Sequence, residues 1–248
     1  MPLRERAYQS RLMNNAINDW FGRNKHNVRI KQQLIESPCG SGKTIIALQL
    51  AKAYKNYANQ LLRCDSGEVG IAWIAGRHNL LTQTDRENKA FVGCEDVYYI
   101  SQFITSLDDH PITKYKHIMM ISDEAHHSSC YTVQSLVNAL DPCHIIGLTA
   151  TPKRGDNVKL AFQKTYRDAG YRTLIDEGWL AQFDHWTIPD WKPETVVHHY
   201  LARRQEWGKT IMYFRTAEEC ERAIMLLRWH GVPTEFVTGV SDRDTQID

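Results

Sequence analysis

The sequence contains one stretch with the composition of a phosphate-binding loop, Ser37-Pro38-Cys39-Gly40-Ser41-Gly42-Lys43-Thr44. Glycines in such a loop let backbone N–H groups turn inward around phosphate oxygens, and the start of the following helix adds positive charge. Lys43 would reach the β- and γ-phosphates of ATP, and the Thr44 hydroxyl would ligate Mg²⁺. Ser37 replaces the first glycine of the usual spacing. The alternative is a glycine-rich turn that happens to precede a lysine.

A second pair of residues suited to chemistry is Asp123 and Glu124, directly after the apolar run Ile118 to Ser122. Two carboxylates at the C-terminal end of a buried strand lie where α/β sheets place their ligands. Asp123 would hold Mg²⁺ through its water shell, and Glu124 would polarise a water that attacks the γ-phosphorus. An Asp-Glu pair that caps a helix is the alternative. The phosphate-binding loop upstream favours the catalytic interpretation.

The elements that must position these residues follow an α/β pattern, with a parallel sheet and helices on both faces. Strand-like runs are Ile30 to Ile35, Gly70 to Ala75, Val97 to Ile100, Ile118 to Ser122 and Ile145 to Leu148. Helix-like stretches between them include Thr44 to Ala58, Leu80 to Phe91 and Val133 to Leu140. Several strand-like runs lack internal alternation, which is typical of strands buried on both faces.

A second α/β unit is predicted towards the C-terminus. Thr210 to Phe214 resembles a buried strand, Ala217 to His230 a helix that stops at Gly231, and Thr234 to Thr238 the next strand. We therefore predict an N-terminal domain over residues 1–165, and a linker with an incomplete second domain over residues 166–248.

Composition bounds the class of protein and its partners. Hydrophobic residues make up 42% and charged residues 24%, as in an ordinary globular protein. The formal net charge is only +1, so any contact with nucleic-acid phosphates must come from a local patch. Six cysteines without a C-x-x-C pair predict neither a zinc ribbon nor a disulfide framework, and favour a reducing, cytoplasmic compartment. No apolar run approaches the ~18 residues of a membrane span, and no signal peptide is evident.

Taken together, three motifs of the sequence resemble those of the superfamily 2 helicases and translocases of the DEAD/DEAH-box class. They are Asp-Glu-Ala-His at 123–126, Thr-Ala-Thr-Pro at 149–152 and Arg6-Ala7-Tyr8-Gln9. The last is similar to the branch that includes restriction-enzyme motor subunits and DNA-repair helicases. The resemblance implies two RecA-like domains, the second one partial here, and ATP hydrolysis coupled to movement on nucleic acid. DNA is the implied partner, with duplex favoured and RNA not excluded.

The resemblance also implies roles for single residues. Gln9 would read the adenine edge, with Arg6 nearby, and Thr149 and Thr151 would hydrogen-bond the acidic segment, coupled through His126. Three further residues lie in weaker matches to segments that contact the nucleic-acid backbone: Arg77, Gln83 and Ser101. Simple helix capping is the alternative for each of these three.

The family pattern is incomplete at the C-terminus. The sequence ends soon after Arg243, before a motif that would carry an arginine finger. Such a finger is worth about 10³–10⁵ in rate. A missing domain or partner subunit would supply it, because the spacing nominates none of the other arginines as a substitute; Arg154 follows the Thr-Ala-Thr-Pro turn and could lie near nucleotide or nucleic acid. Alternatively, the chain is an ATP-binding module with little hydrolysis of its own. Four tryptophans near the domain junction are interpreted as core rather than as base-stacking residues: Trp179, Trp186, Trp191 and Trp207.

Overall fold

The computed structural model describes residues 6–127, 131–152 and 160–237. Arg154, Arg243 and the end of the second predicted C-terminal strand lie outside these ranges. The chain divides into two compact units, the first ending at Gln182 and the second beginning at Phe183. The boundary drawn from the sequence, after residue 165, falls within the last strand of the first unit.

The first unit is built on a parallel sheet of six strands within the described residues. They are β1 (Gln32–Glu36), β2 (Val69–Ala75), β3 (Val97–Ser101), β4 (His117–Ser122), β5 (His144–Thr149) and β6 (Lys164–Tyr166). Their order across the sheet is β3-β2-β4-β5-β1-β6. Five of the strands confirm the sequence prediction, whereas β6 was not predicted.

Helices connect and follow the strands. The α-helices of the described residues are α1 (Ala7–Trp20), α2 (Lys43–Asn56), α3 (Ala58–Leu62), α4 (His78–Glu87), α5 (Tyr131–Leu140), α6 (Tyr171–Asp176), α7 (Pro193–Ala202), α8 (Arg204–Trp207) and α9 (Ala217–Trp229). The three helices predicted in the first unit are confirmed as α2, α4 and α5, with shifted ends.

Burial of the strands explains why their sequences do not alternate. All seven residues of β2 are buried. Trp73 packs into the cluster that includes α1 and α2, whereas Ala72 and Ile74 pack into the cluster on the opposite face, which includes α5. Because helices cover both faces, every side chain of such a strand is apolar. The predicted α/β sheet with helices on both faces is confirmed.

The strand order brings three loops to one edge of the sheet. Parallel strands place their C-terminal ends together, and β1 pairs with β5, which pairs with β4. The phosphate-binding loop follows β1, the Asp-Glu pair follows β4, and Thr149 ends β5. The ligand-binding edge expected for an α/β sheet therefore carries the phosphate-binding loop and two of the three family motifs.

A buried polar network fastens α1 to β6, and no local sequence pattern predicts it. The Asp19 carboxylate at the end of α1 accepts hydrogen bonds from Lys164 and Tyr166 of β6 and from Asn24. Burial acts to raise the pKa of Asp19, but these hydrogen bonds outweigh it and hold the pKa below its ordinary value. The network therefore favours the ionised carboxylate.

Replacing Asp19 with asparagine should lower the free energy of unfolding by about 1–3 kcal/mol at neutral pH. Asp→Asn removes a charge that stabilises the fold above the unfolded pKa of about 3.9. That contribution is lost as the pH falls through the lower folded pKa, so the two proteins should converge below about pH 4. Denaturant unfolding from pH 7 to pH 3 measures the difference.

Asp168→Asn is the matched control, because Asp168 pairs with Arg11 of α1 in an exposed ion pair. Exposed pairs contribute about 0–1 kcal/mol. An Asp19→Asn loss no larger than the control, or one that persists unchanged at pH 3, would contradict the assignment.

The second unit is a small helical cluster in its described residues. Val197 and Tyr200 of α7 pack against Ala223 and Leu227 of α9. The helix predicted over Ala217 to His230 is confirmed as α9, which ends before Gly231 with its positive φ of 68°.

The strands predicted on either side of α9 are wrong for the described residues. Residues 210–214 and 234–237 lie outside any strand. Met212 and Phe214 pack on the α7–α9 core, whereas Ile211 and Tyr213 are exposed. This alternation of buried and exposed side chains is typical of a half-buried strand. A strand also needs a neighbouring backbone with which to pair, and the described part of this unit supplies none.

The core interpretation of the tryptophans is also wrong for three of them, which are exposed: Trp186, Trp191 and Trp207. Trp186 and Trp191 are 62% and 61% exposed. The guanidinium of Arg203 lies 4.4 Å from the Trp186 ring centroid, and that of Arg215 lies 4.6 Å from the Trp191 centroid. Stacking on arginine covers part of each indole without placing it in a core.

Candidate nucleotide-binding site

The loop between β1 and α2 has the backbone that its glycines predict. Gly40 and Gly42 have φ values of 76° and 83°, in the left-handed region that favours glycine. Lys43 begins α2, and its ammonium donates to the carbonyls of Ser37 (3.0 Å) and Pro38 (3.1 Å). The lysine therefore lies across its own loop, where phosphate oxygens can replace the two carbonyls as acceptors.

Three side chains from the start of the chain converge on the same loop. The Ser41 carbonyl accepts hydrogen bonds from the Gln9 amide (2.9 Å), the Arg6 guanidinium (3.4 Å) and the Tyr8 hydroxyl. Tyr8 anchors this group, because its ring is buried in the core against which α1 packs. Arg6 and Gln9 therefore lie beside the loop, and their contact with an adenine base stays a prediction. The sequence interpretation gave Tyr8 no role.

Replacing Gly42 with alanine should disturb both the loop and Gln9. A Cβ at this position would lie 2.7 Å from the Gln9 amide nitrogen, and the positive φ would add about 1–2 kcal/mol of strain. We expect ATP binding to weaken about tenfold or more. Titration calorimetry measures the affinity.

Gly93→Ala is the control for backbone strain, since Gly93 has a φ of 62° and a Cβ added there would meet no other atom within 4 Å. It should share the loss of stability but keep the affinity for ATP. Equal loss of affinity in both variants would contradict the proposed contact with Gln9.

The acidic pair lies at the end of β4 in a strained turn. Glu124 has a φ of 52°, and its N–H donates to the Asp123 carboxylate over 3.0 Å. Burial raises the pKa of Asp123 above its ordinary value, although the N–H of Glu124 and the positive charge of Lys43 partly offset this. Lys43 and Asp123 thus act on each other electrostatically. Glu124 remains half-exposed, as a group that must contact a water molecule requires.

A chain of contacts joins the acidic pair to the end of β5. The His126 ring nitrogen Nδ1 lies 3.3 Å from the Glu124 carboxylate and 3.4 Å from the Thr149 hydroxyl. That hydroxyl also donates to the Thr151 carbonyl over 2.8 Å and accepts from its N–H over 3.0 Å. The Thr149 carbonyl accepts the N–H of Ser37 over 3.1 Å. Contacts therefore link the three loops at this edge.

The donor set suits Mg²⁺ held mainly by substrate. Thr44 offers a hydroxyl at the start of α2, and Asp123 a carboxylate at the end of β4. Within the described ranges, no group of three or more His, Cys, Asp or Glu side chains is arranged to hold a metal ion. Mg²⁺ at phosphate sites usually has one or two protein ligands, completed by phosphates and water. Thr44 and Asp123 fit that pattern.

Two of the three residues predicted to contact nucleic acid lie at the ends of β2 and β3, and the third lies on α4. Arg77 follows β2 and is exposed, and Ser101 ends the neighbouring β3, so both lie at the edge that carries the loop. The Ser101 hydroxyl accepts the N–H of Phe103 over 3.2 Å. Gln83 lies further along on α4 and bonds Glu87 over 2.8 Å. Contact with nucleic acid stays a prediction for all three.

Trp179 and Leu180 are neighbours of the loop whose position the sequence did not reveal. The Arg6 guanidinium lies 4.8 Å from the Trp179 ring centroid. A Cβ on Gly40 would lie 3.0 Å from the Leu180 side chain. Both residues are far from the loop along the chain, and no local pattern indicates such contacts.

Comparison with known proteins identifies the first unit. The model of the family described as "Type III restriction enzyme, res subunit" matches residues 2–154, more than half of the chain. No curated protein matches. Within the described residues, no helix is both long and apolar enough to span a membrane.

Two solved structures are similar to this chain. A nuclease-deletion mutant of the Type ISP restriction-modification enzyme LlaGI, in complex with a DNA substrate mimic, is 17% identical with a TM-score of 0.59. The match covers 92% of this chain and 22% of that one. UvsW of T4 is 14% identical with a TM-score of 0.45, over 98% of this chain and 54% of that one.

The chain thus spans a minor part of the first of these proteins and about half of the second. The likeness to LlaGI confirms the RecA-like fold, and the match to the family model covers the residues of all three motifs. The chain therefore belongs to the family of the type III restriction enzyme res subunit, within the helicase-like motor branch of superfamily 2.

Proposed function

We propose that the chain is an ATP-hydrolysing unit of a motor that moves on DNA. The observation that carries this proposal is the contact chain from Glu124 through His126 to Thr149 and on to Ser37 of the phosphate-binding loop. It links the residues suited to hydrolysis with a strand end from which movement of a second domain could be driven.

Each residue has a defined task in this proposal. Lys43 exchanges its two loop carbonyls for the β- and γ-phosphate oxygens of ATP. Thr44 would hold Mg²⁺ through its hydroxyl and Asp123 through water, and the bound ion would supply positive charge beside the transferring phosphate. Glu124 orients and polarises the attacking water. When the Glu124 side chain moves during hydrolysis, His126 transmits the movement to Thr149, because the His126 ring contacts both residues.

DNA is the proposed track, with duplex favoured. Two features support it: the exposed Arg77 with Ser101 at the edge of the sheet, and the similarity to a family of restriction-enzyme subunits. A net charge of +1 fits a protein that contacts the backbone at few points rather than by a broad basic surface. The cytoplasmic compartment stays a prediction.

Displacement of a third strand from a triplex tests movement along duplex DNA. A motor that steps along the duplex should release the third strand in the presence of ATP and Mg²⁺, and should release none with Lys43→Ala. ATP binding without hydrolysis or release, even with DNA present, would support the alternative of an ATP-binding module.

A further inference from the structure

Trp179 and Leu180 form a rigid wall beside the phosphate-binding loop. They follow α6 directly, and the N–H groups of both donate to the carbonyl of Leu174, over 2.8 and 3.0 Å. Leu174 is fully buried, and Gly178 has the positive φ of 72° that this helix ending requires. The indole N–H of Trp179 donates to Glu177 over 3.0 Å. The position of the wall is therefore fixed by the core.

The wall orients Arg6. The Arg6 guanidinium lies 4.8 Å from the centroid of the Trp179 ring. It donates to the Tyr8 hydroxyl over 3.2 Å and to the Ser41 carbonyl over 3.4 Å. A guanidinium stacked on an aromatic ring is attracted to it and loses its freedom to rotate. One face of Arg6 is covered by the indole, and Arg6 as a whole is only half-buried.

We propose that Trp179 is a positioning residue for the base of the bound nucleotide. It holds the Arg6 guanidinium flat, so that the opposite face of that group stacks on a purine base while the Gln9 amide hydrogen-bonds the base edge. Leu180 packs against Gly40 and keeps the loop adjacent to this base site. The inference rests on the proposed function, because it takes the loop 37–44 as the phosphate site.

A base held by Arg6 distinguishes ATP from a ligand that has phosphates alone. Inorganic tripolyphosphate can occupy the loop but has no base to stack on Arg6. Loss of the indole should therefore weaken ATP binding selectively, whereas general damage to the loop should weaken binding of both ligands. This difference separates positioning from a purely structural role.

The test compares the affinities of ATP and tripolyphosphate, measured by calorimetry with Mg²⁺ on the whole chain. Trp179→Ala should weaken ATP about tenfold and tripolyphosphate less than about twofold. Trp179→Phe, which keeps an aromatic ring under Arg6, should restore most of the ATP affinity. Trp191→Ala is the matched control, because this tryptophan also stacks on an arginine but belongs to the second unit.

Combination with Arg6→Ala tests the route of the effect. If Trp179 acts through Arg6, the double variant should bind ATP no more weakly than Arg6→Ala alone. Equal losses for ATP and tripolyphosphate, an undiminished ATP affinity in Trp179→Ala, or additive effects in the double variant would overturn the inference. A wild-type chain that binds neither ligand would instead overturn the proposed function itself.

Discussion

Replacing Lys43 with alanine should reduce ATP hydrolysis by at least about a hundredfold. The ammonium lies across the loop on two carbonyls, and its positive charge partly offsets the rise that burial causes in the pKa of the partly buried Asp123. Without the ammonium, the negative charge that develops on the phosphates would lose its principal protein partner in the proposed site. Phosphate release measures the turnover, and calorimetry measures the affinity for ATP.

Lys52→Ala is the matched control for the lysine. Lys52 lies on the same helix, and its ammonium donates to the Val92 carbonyl, on another element, over 2.7 Å. It should leave hydrolysis within about twofold of the wild type. If Lys43→Ala still hydrolyses ATP, the result would contradict the role of Lys43 in binding the phosphates.

Glu124→Gln should lower turnover about 10²–10⁴-fold while ATP still binds. The substitution keeps the shape of the side chain but removes the carboxylate that polarises water. Contacts of the backbone, including the N–H bond to Asp123, do not depend on the replaced atoms. Single-turnover phosphate release, with ATP affinity measured in parallel, separates loss of chemistry from loss of binding.

Glu36→Gln controls for the loss of a carboxylate at this edge of the sheet. Glu36 ends β1 and pairs with Arg167 over 3.3 Å, not with the acidic segment. It should retain most of the turnover. If Glu124→Gln hydrolyses ATP at the wild-type rate, Glu124 does not activate the water.

The parts of the fold that the sequence revealed are those with strong local signals. Strands buried on both faces are continuous apolar runs, so the predictions for β2 and β4 agree with the structure within one residue at each end. The loop 37–44 was recognisable because glycines with positive φ must precede the lysine. The shared edge then followed from the parallel order of the strands.

What the sequence did not reveal depends on contacts between distant residues. β6 is three residues long, and its polar Lys164 is held by Asp19, 145 positions away. Trp179 has no local feature that places it under Arg6. In the second unit, the apolar run 210–214 predicted a buried strand, but an apolar run cannot supply the neighbour with which a strand pairs.

The most direct test of the central claim is the steady-state release of phosphate from ATP by this chain, with Lys43→Ala as the blank. The reactions would contain no nucleic acid, duplex DNA, single-stranded DNA or RNA. We expect release above the blank that rises with DNA, most with duplex. Release no greater than that of Lys43→Ala under all four conditions would contradict it.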